Sequence, residues 1–241
     1  GGSSILTLQL AYTLKDAVEL LDHFGEKDLA AQYDSLRISL CENTWKHCWV
    51  EKKQLLCDDI LKTSYSQHAN IMGILSDAIP VKLQQDLLTR LDTTSSLIQA
   101  TFYYRFYLFR ALKKVGLADQ YVSMLKPWQD MLGMGLTTFA ENSRSDCHAW
   151  SASPVLDFLA TICGVEPAEA GFRSVKIEPH LGCLNRVEGK IPHPLGNISI
   201  ILERENKGIN GKIVLPEGLS GRFIWNKQTL VLHSGQNLID L

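Results

Sequence analysis

GFRSVKI, residues 171–177, is the stretch at which the sequence changes from one periodicity to another. From about residue 5 to residue 165, apolar residues recur at helical spacing, and short polar connections separate the segments. After residue 171 the spacing becomes two, as in Ile198, Ile200 and Leu202, which is typical of strands. The sequence therefore predicts a mainly α protein with a β domain, divided into residues 1–168 and 169–241.

The first part contains signals for at least six helices joined by short loops. The predicted packing stripe of the first helix comprises Leu6, Leu10, Leu14, Ala17 and Leu21. Gly25 suits the position after that helix, and Pro80 suits the first turn of a later one. Further helices are predicted over residues 118–132 and 148–163. Helices in antiparallel succession must pack on both sides, which predicts a bundle, solenoid or toroid.

The second part contains turn signals at roughly the 8- to 12-residue spacing of antiparallel sandwiches. Asn210-Gly211 is its strongest hairpin signal, because this dipeptide favours the two-residue turn between paired strands. The sequence therefore predicts a small antiparallel β-sandwich at the end of the chain.

Composition limits the classes of function. The chain has 241 residues and a formal charge of −2, so no global field draws it to nucleic acid or anionic lipid. No apolar run approaches the roughly 18 to 20 residues needed to cross a bilayer. We therefore expect neither a nucleic-acid nor a membrane partner. The start, GGSS without an initiator methionine, predicts a fragment.

The six cysteines form no C-x-x-C pair, which favours free thiols over a disulfide framework. Sequence alone cannot show which cysteines are bridged. The compartment stays open between cytoplasm and periplasm.

A carboxylate, an imidazole and an indole lie within ten residues of one another at Glu141, His148 and Trp150. A carboxylate can move protons, an imidazole can hydrogen-bond hydroxyls, and a flat ring can cover an apolar sugar face. This grouping predicts a carbohydrate site. The alternatives are a solvated loop carboxylate at Glu141, a packed or capping histidine at His148 and a core indole at Trp150.

Several segments together resemble bacterial α-L-rhamnosidases in sequence and order. They are YSQHAN (65–70), YRFYLFRAL (104–112), LTTFAE (136–141), SDCHAWSASP (145–154), FLATICG (158–164) and GFRSVKIEPH (171–180). The resemblance implies an (α/α)6 toroid of six helical hairpins followed by a C-terminal antiparallel β-sandwich. About twelve helices would complete such a toroid, so this chain resembles its second half. A partial toroid exposes two apolar helix faces, which predicts self-association.

The resemblance also implies hydrolysis of terminal α-L-rhamnosides with inversion. An inverting glycosidase needs an acid and a base carboxyl group about 6.5 to 9.5 Å apart. Glu141 matches the family's base, while nothing in the chain matches its acid motif, so we expect the fragment alone to be inactive. His148, Trp150, Tyr65 and His68 are the expected substrate-binding residues, although His68 could instead bind backbone between helices. No cofactor is implied.

Two other functions remain open at this stage. The chain could be a non-catalytic carbohydrate-binding or structural module, or part of a toroidal glycosidase with another sugar specificity. A metal site is not expected, because His180, His193 and His233 lack ligand spacing and Asp58-Asp59 is a weak signal.

Overall fold

The chain folds into seven α-helices followed by two four-stranded sheets, with a short hairpin among the helices. The structure, a computed structural model, describes residues 2–91, 94, 96–141, 145–206 and 208–241, and these counts refer to them. The α-helices are α1 (Ser4–His23), α2 (Lys27–Cys48), α3 (Gln67–Leu75), α4 (Val81–Leu91), α5 (Phe102–Lys114), α6 (Lys126–Gly133) and α7 (Ser153–Asp157). The predicted class, helices followed by strands, is confirmed.

Two compact units divide the chain, residues 1–117 and 118–241. The first holds α1 to α5 and the hairpin of β1 (Trp49–Val50) and β2 (Leu55–Leu56). The second holds α6, α7 and all later strands. The predicted division at residue 168 concerns the change from helices to strands and stays a prediction.

Helix α3 forms the centre of the N-terminal unit. It contacts α1, α4, α5 and β2, and all its residues except His68 are buried. Ser66 caps its start by accepting a hydrogen bond from the Ala69 amide at 3.3 Å. The Asn70 side chain bonds both the amide and the carbonyl of Leu56, which fixes the hairpin to this helix.

Helix α1 packs through a different face from the predicted one. Leu8 and Ala11 are fully buried, whereas Leu6 is 68% and Leu10 is 49% exposed. Of the predicted stripe, Leu14 is buried. Periodicity alone could not choose between two apolar faces of one helix, and the narrower Leu8–Ala11 face is the one that meets its neighbours.

The other side of this helix pair forms an exposed apolar surface. We call it the α1–α2 apolar face, and its members are Leu6, Leu10, Leu20, Phe24, Leu29, Tyr33 and Leu36. Scattered exposed apolar residues are normal on proteins, but a set this large on two paired helices is not.

Both long helices predicted after residue 117 are interrupted. Residues 118–125 form two 3₁₀ turns, and α6 begins only at Lys126, with Pro127 in its first turn. Likewise a 3₁₀ turn, Ala149–Ala152, precedes α7, which carries Pro154 in its first turn. A π-helical turn, Phe158–Ile162, follows α7. The prolines explain both late starts, because proline lacks the amide that a preceding helical turn would need.

The later strands form two sheets. They are β3 (Val165–Pro167), β4 (Ser174–Ile177), β5 (Arg186–His193), β6 (Gly196–Glu205), β7 (Gly208–Leu215), β8 (Ser220–Trp225), β9 (Gln228–Leu232) and β10 (Gly235–Asp240). One sheet has the order β10-β7-β6-β5 and is antiparallel throughout. The other, β3-β4-β8-β9, contains a parallel β4–β8 pair, so the prediction of purely antiparallel strands is wrong. After β4 the chain crosses to the first sheet, where it forms β5, β6 and β7, and then returns to the second sheet, where β8 pairs with β4.

Strand β6 has the predicted period of two, with Ile198, Ile200 and Leu202 buried. The predicted turn at Asn210-Gly211 is wrong, because both residues lie inside β7. Gly211 has a φ of +147°, and a Cβ there would lie 2.1 Å from the Ile201 carbonyl oxygen of β6. Glycine is needed here for close approach of two strands and not for a turn.

The six cysteines are free thiols, as the sequence favours, and Cys147 and Cys183 are the exposed ones. Among the helices that the structure describes, none combines the length and apolar character required to span a bilayer.

Candidate functional site

Glu141 lies at the base of a loop that closes on itself. Its amide donates to the Ser145 carbonyl at 3.0 Å, and the His148 amide donates to the Phe139 carbonyl at 2.6 Å. Residues 142–144 lie outside the described part. These two backbone bonds bring the start of the loop, with Glu141, next to its end, with His148.

The Glu141 side chain is enclosed, with 2% of its surface exposed. The hydroxyl of Ser151 donates to its Oε2 atom at 3.2 Å, and Ser151 itself is fully buried. The Trp128 indole, on α6, donates to the Ser151 carbonyl at 2.7 Å. A carboxylate removed from water is costly unless donors surround it, so Ser151 offsets part of that cost.

His148 and Trp150 present an aromatic surface close in sequence to this carboxylate. Their ring centroids are 4.4 Å apart and their planes are inclined by 30°. Trp150 is 41% exposed, whereas the Nδ1 atom of His148 is buried and has no hydrogen-bond partner among the described residues. An exposed indole face next to an imidazole can cover the apolar side of a sugar ring.

Tyr65 and His68 belong to the N-terminal unit, and each makes a ring contact there with a different residue. The Lys53 ammonium lies 3.8 Å from the Tyr65 ring centroid, and the His68 ring lies 4.2 Å from that of Tyr104. Burial lowers the pKa of His68, which Asp58 opposes in part. At neutral pH His68 is therefore a neutral imidazole, able both to donate and to accept a hydrogen bond.

The remaining acidic candidates have structural partners. Asp58 accepts from the hydroxyls of Ser64 and Ser66, and Asp59 accepts from the Leu61 amide, so both organise their own loop. No cluster of three or more histidine, cysteine or acidic side chains suits a metal ion within the ranges described above.

Sequence reasoning missed Ser151 and Trp128. Ser151 stands next to Trp150 in the HAWSA segment, yet serine is common in turns and gives no signal of its own. Trp128 lies 23 residues away, and its hydrogen bond to Ser151 depends on tertiary packing.

An apolar cavity of about 330 Å³ lies in the C-terminal unit. It is lined by Trp128 and Phe139, whose polar atoms bind Ser151 and His148, and by Leu132, Leu136 and Phe158. The elements that hold the Glu141 loop therefore also border this apolar cavity.

A comparison with protein families matches residues 164–237 to the bacterial alpha-L-rhamnosidase C-terminal domain. No curated protein matches the chain. Solved structures do. A GH78 family rhamnosidase of Bacillus sp. GL1 matches with a TM-score of 0.85 and 24% identity, over 93% of this chain and 26% of that one.

Two further structures contain the sugar. The α-L-rhamnosidase of Streptomyces avermitilis complexed with L-rhamnose matches with a TM-score of 0.75 and 16% identity, over 95% of this chain and 26% of that one. The rhamnosidase from Klebsiella oxytoca with rhamnose bound matches with a TM-score of 0.59 and 20% identity, over 64% and 33%. The chain thus spans a quarter to a third of these structures. Its C-terminal domain and fold confirm the resemblance to the C-terminal portion of bacterial α-L-rhamnosidases.

Proposed function

We propose that this chain is the C-terminal part of an enzyme that hydrolyses terminal α-L-rhamnosides with inversion, and that Glu141 is its general base. The observation that carries the proposal is the enclosed Glu141 carboxylate, held by the Ser151 hydroxyl within ten residues of the His148–Trp150 aromatic pair. The rhamnosidase fold of the chain and the two relatives solved with rhamnose support the choice of sugar.

In the proposed reaction, Glu141 accepts a proton from a water molecule as the water oxygen attacks the anomeric carbon. The bond between that carbon and the glycosidic oxygen breaks, and a carboxylic acid on the opposite side protonates the leaving oxygen. That acid lies outside this chain. In an inverting enzyme, the distance between the two carboxyl groups leaves room for this water between the base and the anomeric carbon.

Substrate binding falls to four aromatic or imidazole side chains in this proposal. Trp150 covers the apolar face and methyl group of the sugar, and His148, whose ring lies against that of Trp150, hydrogen-bonds a sugar hydroxyl. Tyr65 and His68, which belong to the N-terminal unit, are the other two proposed sugar-binding side chains. Such a site needs no cofactor.

The fold completes the proposal. The helices form the second half of a toroid, and the two sheets form its C-terminal β-sandwich. In the whole enzyme, further hairpins would cover the α1–α2 apolar face. Purified alone, the chain would bury this face by self-association, which light scattering would detect as an oligomer. A stable monomer at high concentration would contradict this part of the proposal.

The experiment compares the 241-residue chain with the product of the whole reading frame that encodes it. Both are incubated with an aryl α-L-rhamnoside, and the first sugar product is identified by proton NMR. We expect no hydrolysis by the chain alone, and release of β-L-rhamnose by the whole product. Release of the α anomer first, or turnover of another aryl glycoside in preference, would overturn the mechanism or the substrate.

A calorimetric titration of the chain with L-rhamnose tests binding separately. Binding by the chain, together with no hydrolysis by the whole product, would favour a non-catalytic carbohydrate-binding module.

A further inference from the structure

We propose that Ser151 is a positioning residue that holds the Glu141 carboxylate in the orientation needed for proton transfer. The inference rests on the proposed function, because it assigns a task to a neighbour of the proposed base. It adds a residue that the sequence did not single out.

The first argument is the fixed position of the Ser151 hydroxyl. Its residue is fully buried, and its backbone is bound at both polar atoms. The amide donates to the His148 carbonyl at 3.0 Å, and the carbonyl accepts from the Trp128 indole at 2.7 Å. A backbone held at both ends leaves the hydroxyl oxygen little freedom to move.

The second argument is the freedom that a glutamate otherwise has. The terminal torsion of glutamate is broad, so packing alone selects its carboxylate plane weakly. The donated hydrogen bond to Oε2, at 3.2 Å, favours one orientation of the carboxylate. Proton transfer is sensitive to such geometry, since a displacement of about 1 Å can cost roughly a hundredfold in rate.

The third argument is that one residue serves both parts of the site. Through its amide Ser151 anchors His148, and through its hydroxyl it anchors Glu141. The proposed base and the proposed sugar-binding imidazole therefore keep a constant relation to each other. The indole of Trp128 ties this arrangement to α6.

The test is the Ser151→Ala variant of the whole reading-frame product. Loss of a hydrogen bond to a charged group predicts a fall in kcat of roughly 10- to 100-fold. KM should change by less than about twofold, because binding depends on other side chains. Ser151→Cys, which keeps a weak donor of similar size, should recover part of the lost kcat.

Ser153→Ala is the matched control. Ser153 lies two residues away, and its buried hydroxyl has no hydrogen-bond partner among the described residues. This variant also loses one serine hydroxyl, but it keeps the Ser151 hydroxyl that bonds the Glu141 carboxylate, so it should retain kcat. Equal kcat values for Ser151→Ala and Ser153→Ala would overturn the proposal, as would a change confined to KM.

Glu141→Gln separates this proposal from the proposed function. If Glu141→Gln retains normal turnover, or if the wild-type product hydrolyses no rhamnoside, the base assignment fails whatever Ser151 does. The positioning claim is then decided by crystal structures of wild-type and Ser151→Ala chains. The claim that Ser151 orients the carboxylate stands if the Glu141 carboxylate rotates or adopts more than one conformation in the variant. It is wrong if the carboxylate stays in place.

Discussion

The buried polar groups of the two units differ in kind. In the N-terminal unit they are amides and hydroxyls that mostly bond backbone atoms, as Asn70 bonds Leu56 and Gln84 bonds the Ile79 carbonyl. In the C-terminal unit they include the two carboxylates that are buried among the described residues, Glu141 and Asp157. A buried carboxylate is harder to stabilise than a buried amide, so its presence calls for a reason.

Asp157 shows that burial alone does not identify a catalytic group. Its Oδ1 atom accepts from the Thr161 hydroxyl, four residues along, at 2.8 Å, which is a local bond of the kind that stabilises a helical turn. Glu141 bonds a hydroxyl ten residues away and begins a loop that ends at the His148–Trp150 aromatic pair. Partner and surroundings distinguish the two carboxylates, and the comparison between units can be tested in the same terms.

The largest expected effect is on Glu141→Gln. If the polar groups of this site serve chemistry, kcat in the whole product should fall by about 10²- to 10⁴-fold, the range that general base catalysis contributes. The free energy of unfolding should stay within about 1 kcal/mol, since an amide keeps the shape and can accept from Ser151. Rate assays and urea unfolding measure the two. A large loss of stability with near-normal turnover would place Glu141 among the structural groups.

Asn70→Ala should have the opposite signature. It removes the partners of a buried amide and carbonyl of Leu56 and one bond to the Ser66 carbonyl, which predicts a loss of roughly 3 kcal/mol of stability. Asn43→Ala is the control, because exposed Asn43 bonds Ser39 of its own helix. Urea unfolding followed by circular dichroism measures both. Equal stability of the two variants would show that Asn70 does not hold the hairpin to α3.

Asp77→Asn tests a charged group in the same unit. Asp77 pairs with Lys15, at 2.6 Å, and with Lys114, and both lysines also approach the last carbonyls of α3. Burial alone would raise the pKa of Asp77, but the hydrogen bonds from the lysines hold it below its ordinary value. We expect a loss of about 1 kcal/mol, because the pair is partly exposed.

The pH dependence checks the cause of that loss. A carboxyl group with a lowered folded-state pKa adds stability above its unfolded value of about 3.9, and this is lost as the pH falls through the folded value. The difference between wild type and Asp77→Asn should therefore shrink under acid. Asp34→Asn, which affects an ion pair within α2, serves as control.

The smallest expected effect is the pH response of His68. Because burial lowers its pKa, the unfolded chain binds more protons, and the free energy of unfolding should fall as the pH drops below about 6.5. His68→Gln should flatten this slope, whereas His47→Gln, at an exposed position, should not. Unfolding curves between pH 5 and pH 7.5 measure it. An unchanged slope in His68→Gln would show that another group titrates.

Local signals in the sequence predicted much of the fold. Gly25 and Pro80 marked helix boundaries because their backbone restrictions act within a few residues. The period of two in β6 was equally local. The predictions for the packing face of α1 and for the role of Gly211 were wrong, because each depends on which distant segment lies opposite.

The same limit applies to the candidate site. Glu141, His148 and Trp150 stood out because they are close in sequence and chemically distinctive. Ser151 and Trp128 did not, since their contribution is a pair of hydrogen bonds that exist only after α6 has packed beside the loop. Sequence identified the groups that could react, and only the structure showed what holds them.

The π-helical turn after α7 affects how the chain tolerates insertions and deletions. The Cys163 amide bonds the Phe158 carbonyl five residues back, so this turn accommodates one residue more than an α-helical turn would. Deleting one residue within 158–162 would therefore restore ordinary α-helical winding without rotating the segments on either side, whereas the same deletion inside a regular α-helix would rotate them by about 100°. Trp150 and Ser151 lie in the preceding segment, so we expect a single-codon deletion at this turn to leave the groups that surround Glu141 aligned.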